Sequence, residues 1–443
     1  LYNFLINSGI PIKEDLGLLI NKSEKFIPKT IEQIESILGS LSKRKKNNVF
    51  TELLFLCEII HQETGKFCIV IFDEFHNLQN LNIKNLYREW SKLLILQKNT
   101  MYIIISSMKF KAKTILSKNL SLLFGNFEVT TIEPFDIKTS EEYLKHKLDN
   151  LNLNTGLRNF IVHFTGGYPF YLEIIADALL KSNQTNLTDI LESLLFEPSG
   201  ILHQRFSNYL KRFFDNPYSQ DYVSILYLIS SGHNKLKDIE HILHRPKKEL
   251  ALRINHLYEL DVVSRSGDFL KINDRVFNFW LKFVYQEKMQ SLTFDAKNQK
   301  TLFTDSIDNM IQEFLINAQK SIIERMVELL NLFENEVVQI ERKRLRLTHF
   351  REIKPLEFNN RNLKEGLIGR SNDNLWIMGF KRNNLLTEED ITEFAKECKK
   401  YRHKLQRKII VAFQDIDANA RLRALEERIW TWNLSHLNQI FDL

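Results

Sequence analysis

The sequence predicts an α/β protein organised around a parallel sheet, with helical and smaller mixed modules after it. Three observations carry that prediction. The apolar run Phe67 to Phe72 ends in two adjacent carboxylates, Asp73 and Glu74. A second run, Met101 to Ile105, comes after a helical pattern and ends in Ser106 and Ser107. A third, Phe127 to Ile132, closes on Glu133-Pro134-Phe135. Strands that recur after helices pair in parallel, and strands without apolar/polar alternation are buried on both faces.

Each element has its own signal. Before the first strand, Thr51 to Glu63 carries Leu53, Leu54, Leu56, Cys57 and Ile60 at helical spacing, and Thr64-Gly65-Lys66 stops it. A second helix, Leu86 to Leu96, leads to the second strand. From Ser140 to about Asp215 the pattern is almost wholly helical, with Thr139-Ser140-Glu141-Glu142 reading as a capped start. Within it, Gly166-Gly167-Tyr168-Pro169 opens a helix over Phe170 to Lys181, with Pro169 in its first turn. The rhythm then changes. Helices over Tyr222–Ser230, Leu236–Leu243 and Lys247–Leu260 precede two short strands, Val262–Ser264 and Phe269–Ile272, which is the pattern of a winged helix-turn-helix. Polar Thr293 to Lys300 reads as a linker. The last stretch predicts a helix over Ile307–Phe333, strands over Glu336–Ile340, Leu345–Leu347, Leu375–Phe380 and Lys408–Phe413, and a helix over Glu388–Tyr401. The expected boundaries are 1–139, 140–217, 218–290 and 301–443.

Composition narrows the classes. At 443 residues, with 44% hydrophobic and 26% charged, the chain is long enough for roughly three globular domains. No apolar run approaches the ~20 residues of a membrane span, and the first residues show no secretory pattern, so a cytoplasmic protein with no membrane partner is expected. The three cysteines are widely scattered, which favours free thiols in a reducing compartment. The twelve histidines show no ligand spacing with cysteine or acid, so no zinc site is expected. A net charge of +6 permits an acidic partner such as nucleic acid without demanding one.

The carboxylates at the first strand end carry the strongest chemistry. In nucleoside-triphosphatases the first such acid, here Asp73, holds Mg²⁺ through water, and the second, here Glu74, polarises the attacking water. The plainer alternative is an aspartate capping the next helix. Ser107 fits a polar group that senses a γ-phosphate.

These features resemble the archaeal and bacterial ATPases of the STAND group, relatives of AAA+ proteins with a P-loop NTPase core. Ile69-Val70-Ile71-Phe72-Asp73-Glu74 is similar to their Walker B strand and Met101 to Ser107 to their sensor-1 strand. Gly166-Gly167-Tyr168-Pro169 is similar to the Gly-x-Pro motif of the helical lid, so the resemblance implies that Gly167 and Pro169 lie near the adenine. It implies ATP and Mg²⁺ as cofactors. No Gly-x-x-x-x-Gly-Lys-Ser/Thr loop occurs in the chain. Family spacing puts that loop ahead of Leu1, which is not methionine, and Leu1 to Ile6 reads as the middle of a helix; a truncated P-loop sheet is expected, with a pseudo-ATPase as the alternative.

The winged module offers Lys247, Lys248 and Arg253 to DNA, with Lys235, Lys237 and Arg245 nearby; Glu249 and Glu259 oppose phosphate. In STAND proteins this module often packs internally as a regulatory arm, and the two readings stand equal. Asn273 to Trp280 is similar to the segment that closes this domain, with Asn278 where the family has arginine.

Asn374 to Lys381 is similar to the central strand of restriction-endonuclease-like PD-(D/E)XK domains, with Asp417–Ala420 and Ile429–Leu434 similar to its terminal helix and strand. Lys381 matches that motif. Gly379 stands at the glutamate position and Leu367 at the aspartate, while Asp373 and Glu365 are displaced in register. Glu324 would be a retained accessory acid, and an inactive domain is expected. Arg342 and Arg344, with Arg346, share one face of a strand and could meet phosphate or simply protect an edge. The expected function is an ATP-binding or ATP-hydrolysing switch, acting through a protein partner or self-assembly. The alternative is a non-catalytic DNA-binding or scaffold protein built from decayed enzyme domains.

Overall fold

The computed structural model describes residues 16–42, 49–120, 127–151, 153–182, 186–214, 219–285, 296–340, 343–358, 363–372, 374–401 and 405–441. Leu1–Ile6 lies outside them. The chain divides into two compact units, one running to Ile132 and taking in Tyr258–Asp261, the other formed by Glu133–Leu257 and Val262–Leu443.

The first unit contains α1 (Leu16–Ser23), α2 (Pro28–Ser42), α3 (Val49–Thr64), β1 (Cys68–Phe72), a 3₁₀ turn (Phe75–Leu81), α4 (Leu86–Leu96), β2 (Thr100–Ile104) and α5 (Lys109–Lys118). Glu63, near the end of α3, accepts the backbone N–H groups of Lys29 and Thr30 at 2.6 and 2.9 Å, so one helix satisfies the open donors at the start of another. β1 and β2 pair in parallel from Cys68 opposite Thr100 to Phe72 opposite Ile104. Val70, Phe72, Tyr102 and Ile104 face a core made with Phe50, Leu54, Leu93 and Ile115. Trp90 is fully buried at its centre, ringed by Phe50, Phe72, Tyr87 and Tyr102. The indole N–H of Trp90 has no acceptor among the described residues, so its contribution is packing.

The other face of this sheet departs from expectation. Ile69 and Ile71 are each 60% exposed and Met101 is 51% exposed, although a parallel sheet is normally covered on both sides. The expected third strand is absent too: residues 127–132 form no strand. β1 and β2 are the only strands of this unit among the described residues.

The second unit opens with α6 (Ile137–Lys147), α7 (Thr155–Thr165), α8 (Pro169–Ser182), α9 (Leu187–Leu191) and α10 (Ile201–Phe214). The cap of α6 is Asp136, which accepts the Thr139 N–H at 2.7 Å, so this helix starts earlier than the Ser140 signal suggests. Then come α11 (Ser219–Ser230), α12 (Leu236–Leu243), α13 (Lys247–Glu259), the antiparallel hairpin β3 (Val263–Ser266) and β4 (Phe269–Ile272), and α14 (Arg275–Trp280).

The expected linker is partly helical. α15 (Ala296–Gln319) begins inside it and packs on the helical region that precedes it. Phe303 meets Phe196 and Phe279, Phe314 meets Phe160, and Lys300 pairs with Glu192 at 2.5 Å. The single helix expected over Ile307–Phe333 is broken at Lys320, because Ser321 and Glu324 form a reciprocal capping box that starts α16 (Ile322–Asn331).

The chain ends in a five-stranded mixed sheet, ordered β11-β10-β9-β8-β7, with a separate hairpin of β5 (Val337–Ile340) and β6 (Lys343–Arg346). β7 (Glu352–Glu357), β8 (Glu365–Arg370) and β9 (Leu375–Lys381) are antiparallel neighbours; β10 (Leu405–Ala412) and β11 (Trp430–Trp432) continue parallel to β9. α17 (Glu388–Lys399) and α18 (Ala418–Glu426) contribute to the core on one face; α16 and α19 (Leu434–Phe441) contribute to the other. β9 is buried at all seven positions, as expected for a central strand.

Replacing Trp90 by alanine removes the ring on which four aromatic side chains converge. A loss of about 3–5 kcal/mol in unfolding free energy is expected from chemical denaturation; Trp90→Phe, which keeps a ring and loses no hydrogen bond, should cost markedly less.

Candidate functional site

The carboxyl ends of β1 and β2 are tied together by backbone and side chain. Ile105 N–H donates to Phe72 O at 2.8 Å and Phe75 N–H to Ile105 O at 3.1 Å. Between them the chain turns sharply, with Glu74 in the left-handed region at φ 47°. That turn carries the Glu74 carboxylate across to β2. Its Oε2 accepts the Ser107 N–H at 3.0 Å and lies 3.2 Å from His76 Nδ1, which in turn is 2.8 Å from Ser106 Oγ. The Ser107 backbone N–H holds the Glu74 carboxyl below the usual carboxylate range against the opposing effect of burial, with the Ser107 hydroxyl and His76 adding to it. Asp73 is exposed, and its Oδ1 accepts the Glu74 N–H at 2.9 Å. Asp73, Glu74 and Ser107 are therefore neighbours. His76 and Ser106 belong to the same cluster and were not singled out by sequence reasoning; a histidine two residues beyond the paired acids was the available sign.

Gly167 and Pro169 belong to the second unit. Gly167 has φ +75°, and a Cβ there would stand 2.1 Å from the Phe135 carbonyl oxygen, whose own N–H donates to Gly167 O at 2.9 Å. This glycine is thus needed for a close backbone approach. Pro169 starts α8, where a missing N–H costs nothing. Tyr171 on the same helix donates its hydroxyl to Asp274, whose other oxygen accepts the Phe277 N–H at 2.9 Å and caps α14. Burial pushes the Asp274 carboxyl up.

The basic residues separate. Lys247 and Lys248 are exposed at the start of α13. Arg253 is buried, with Nε 2.7 Å from Asp221 and Nη1 3.7 Å from Glu249, so its charge is already met within the fold. Arg344 is exposed on β6, alternating with buried Leu345, and Arg346 shares its face. Arg342 lies outside the described residues.

The strand β9, compared with a nuclease strand on sequence grounds, is closely packed. A Cβ on Gly379 would meet Leu363 Cδ2 at 2.5 Å and Phe394 at 3.1 Å, so apolar side chains fill the space beside it. Leu367, at the aspartate position, is buried in the core. Lys381 is buried and its ammonium lies 3.0 and 2.9 Å from the two oxygens of Asp390. Asp390 also accepts the N–H and hydroxyl of Thr387 at 3.0 Å each, completing the capping box of α17. Sequence reasoning missed Asp390, although Thr387-x-x-Asp390 was legible as a cap. Glu324 is spent on its own helix cap, and Glu365 pairs with Arg382 at 2.6 Å. Asp373 lies outside the described residues. Among the described residues no group of three or more His, Cys, Asp or Glu could hold a metal ion, and no helix is long and apolar enough to cross a membrane.

No protein-family model matches the chain, and no curated protein matches it. Among solved structures the chain is similar to a Walker-type ATPase of Pyrococcus abyssi, at 22% identity over 53% of this chain and 67% of that one, with a TM-score of 0.40. A likeness of that degree carries no argument about the site.

This geometry has two measurable consequences. A lowered carboxyl contributes stability that is present above its unfolded pKa and lost as pH falls through its folded value. Wild type should therefore be more stable than Glu74→Gln at pH 7, and thermal midpoints of the two should converge as pH falls through and below the usual carboxylate range. Lys381→Met should cost about 3–5 kcal/mol by leaving the Asp390 charge buried alone. Lys381→Met with Asp390→Leu should recover much of that in the same denaturation assay.

Proposed function

We propose that the chain is a nucleotide-dependent switch protein of the STAND type, in which ATP with Mg²⁺ is bound at the carboxyl end of β1. The observation that carries this reading is the pair Asp73 and Glu74 at the rim of a parallel strand pair, with Glu74 linked to Ser107 on the neighbouring strand. The carboxyl ends of parallel strands are where α/β proteins bind ligands. Asp73 is exposed with one oxygen engaged locally, and a hard carboxylate oxygen there suits Mg²⁺ held through water. Mg²⁺ would supply charge neutralisation at the phosphates. Glu74 is engaged through Oε2, which leaves Oε1 to orient a water; Ser107 would register the phosphate through the same carboxylate.

An ATP site of this kind needs phosphate-gripping backbone amides, and no loop in the 443 residues has that pattern. The face of β1 and β2 that carries Ile69, Ile71 and Met101 is apolar and exposed. The four modules of such a switch would be a core, a helical lid, a winged helix built on α11–α13 with the β3–β4 hairpin, and a nuclease-like domain that has lost its chemistry.

A second reading is favoured by a specific observation. The filled position at Gly379 and the Lys381–Asp390 pair suit a decayed nuclease fold kept as a scaffold, and a protein with one decayed domain could have a second. In that reading Lys247, Lys248 and Arg344 are, among the described residues, exposed cations that would face DNA.

Hydrolysis of ATP by the full chain separates the two. Glu74→Gln should lower kcat by about 10²-fold or more while leaving nucleotide affinity nearly unchanged. An ATPase rate that does not change on that substitution would remove Glu74 from the mechanism, and no ATP binding at all would favour the scaffold.

A further inference from the structure

The β3–β4 hairpin ends in a turn whose polar groups are engaged by another part of the chain. Its residues are satisfied by the outer edge of β5, some seventy positions later in the chain. Asp268 donates its backbone N–H to Val337 O at 2.8 Å, and its Oδ2 accepts the Val337 N–H at 2.9 Å, closing a two-bond ring. Ser266 repeats the arrangement one step on: its hydroxyl donates to Gln339 O at 3.0 Å and accepts the Gln339 N–H at 3.3 Å. An edge strand otherwise open to pairing is thus blocked by side chains of a hairpin from another module. Gly267, between them, has φ +64°, and a Cβ there would stand 1.9 Å from Val337 O. Only glycine permits so close an approach.

Two further contacts fix the joint at its base. Phe269 is 7% exposed and belongs to the core of the C-terminal domain, with its ring edge-on to Phe333 at 6.0 Å. Lys235, which bridges to Phe269 in the backbone, places its ammonium 2.6 Å from Glu336 and over the Phe269 ring. The Glu336 side chain is largely removed from water there, while that of Lys235 is 35% exposed. Burial works to raise the Glu336 carboxyl, and Lys235 holds it below its usual range nonetheless.

We infer that the hairpin is a fixed joint that makes the three-helix module and the C-terminal domain one mechanical body, so that a movement of either carries the other. It is not a free wing: its turn is consumed by β5 and its adjacent cation by Glu336. The inference stands on contacts inside the second unit and is independent of whether ATP is bound or hydrolysed.

Charge reversal in the full chain tests it. Lys235→Glu and Glu336→Lys should each speed amide hydrogen exchange about tenfold in residues 263–272 and in residues 337–346 together. The double reversal should restore protection in both, which distinguishes a broken joint from a misfolded protein. Gly267→Val, which drives a side chain into the Val337 carbonyl, should open the same two segments. Exchange that rises in one segment alone, or a double reversal that rescues neither, would overturn the inference.

Discussion

Two parallel strands end side by side, and the carboxylate of Glu74 holds their tips together. It reaches across from a left-handed turn to a backbone N–H at the end of β2, with His76 and Ser106 closing the cluster. A strained turn persists only where surrounding contacts fix it, and such turns gather at functional sites. Here the same bond that fixes the turn also lowers the acid's pKa and leaves Asp73 beside it in solvent. One interaction therefore sets the geometry, the charge and the accessibility of the cluster on which the proposed chemistry rests.

Away from that cluster, burial decides which residues remain available for chemistry. Arg253 and Lys381 each carry a charge suited to phosphate or to a nuclease, and each is committed to an internal carboxylate. A buried charge stripped of its partner is costly, so neither can be lent to a ligand without loss of stability. Conversely, the apolar side chains of β1 and β2 that face outward gain nothing from exposure. Polar groups turned in and apolar groups turned out thus separate the side chains committed within the fold from those left exposed.

Much of this was legible along the chain. The paired acids, the strand before them, the helices of the second unit and the β3–β4 hairpin all announce themselves by periodicity and turn residues over short windows. The illegible parts depend on distance or on competing patterns. Phe127–Ile132 has the apolar content of a strand but finds no ladder partner among the described residues. β7 contains Pro355 and alternating charges, and β8 begins and ends in charge around two glycines, so neither is expected as a strand; β8 pairs with the fully buried β9, and β7 pairs with β8. The break at Lys320 was readable, since Ser321 and Glu324 have capping-box spacing, but an unbroken apolar stripe masked it. The pairing of Ser266 and Asp268 with β5 joins residues about seventy apart through backbone groups, which no local pattern encodes.

Asp73 is proposed to stand where Mg²⁺ bound to a nucleotide would be held. Calorimetric titration of the full chain with ATP, in the presence and absence of Mg²⁺ and alongside Asp73→Asn, measures whether it does. Wild type should bind ATP more tightly with Mg²⁺ than without, and the substituted protein should lose that difference while still binding the nucleotide. Identical Mg²⁺ dependence in the two proteins would contradict the claim.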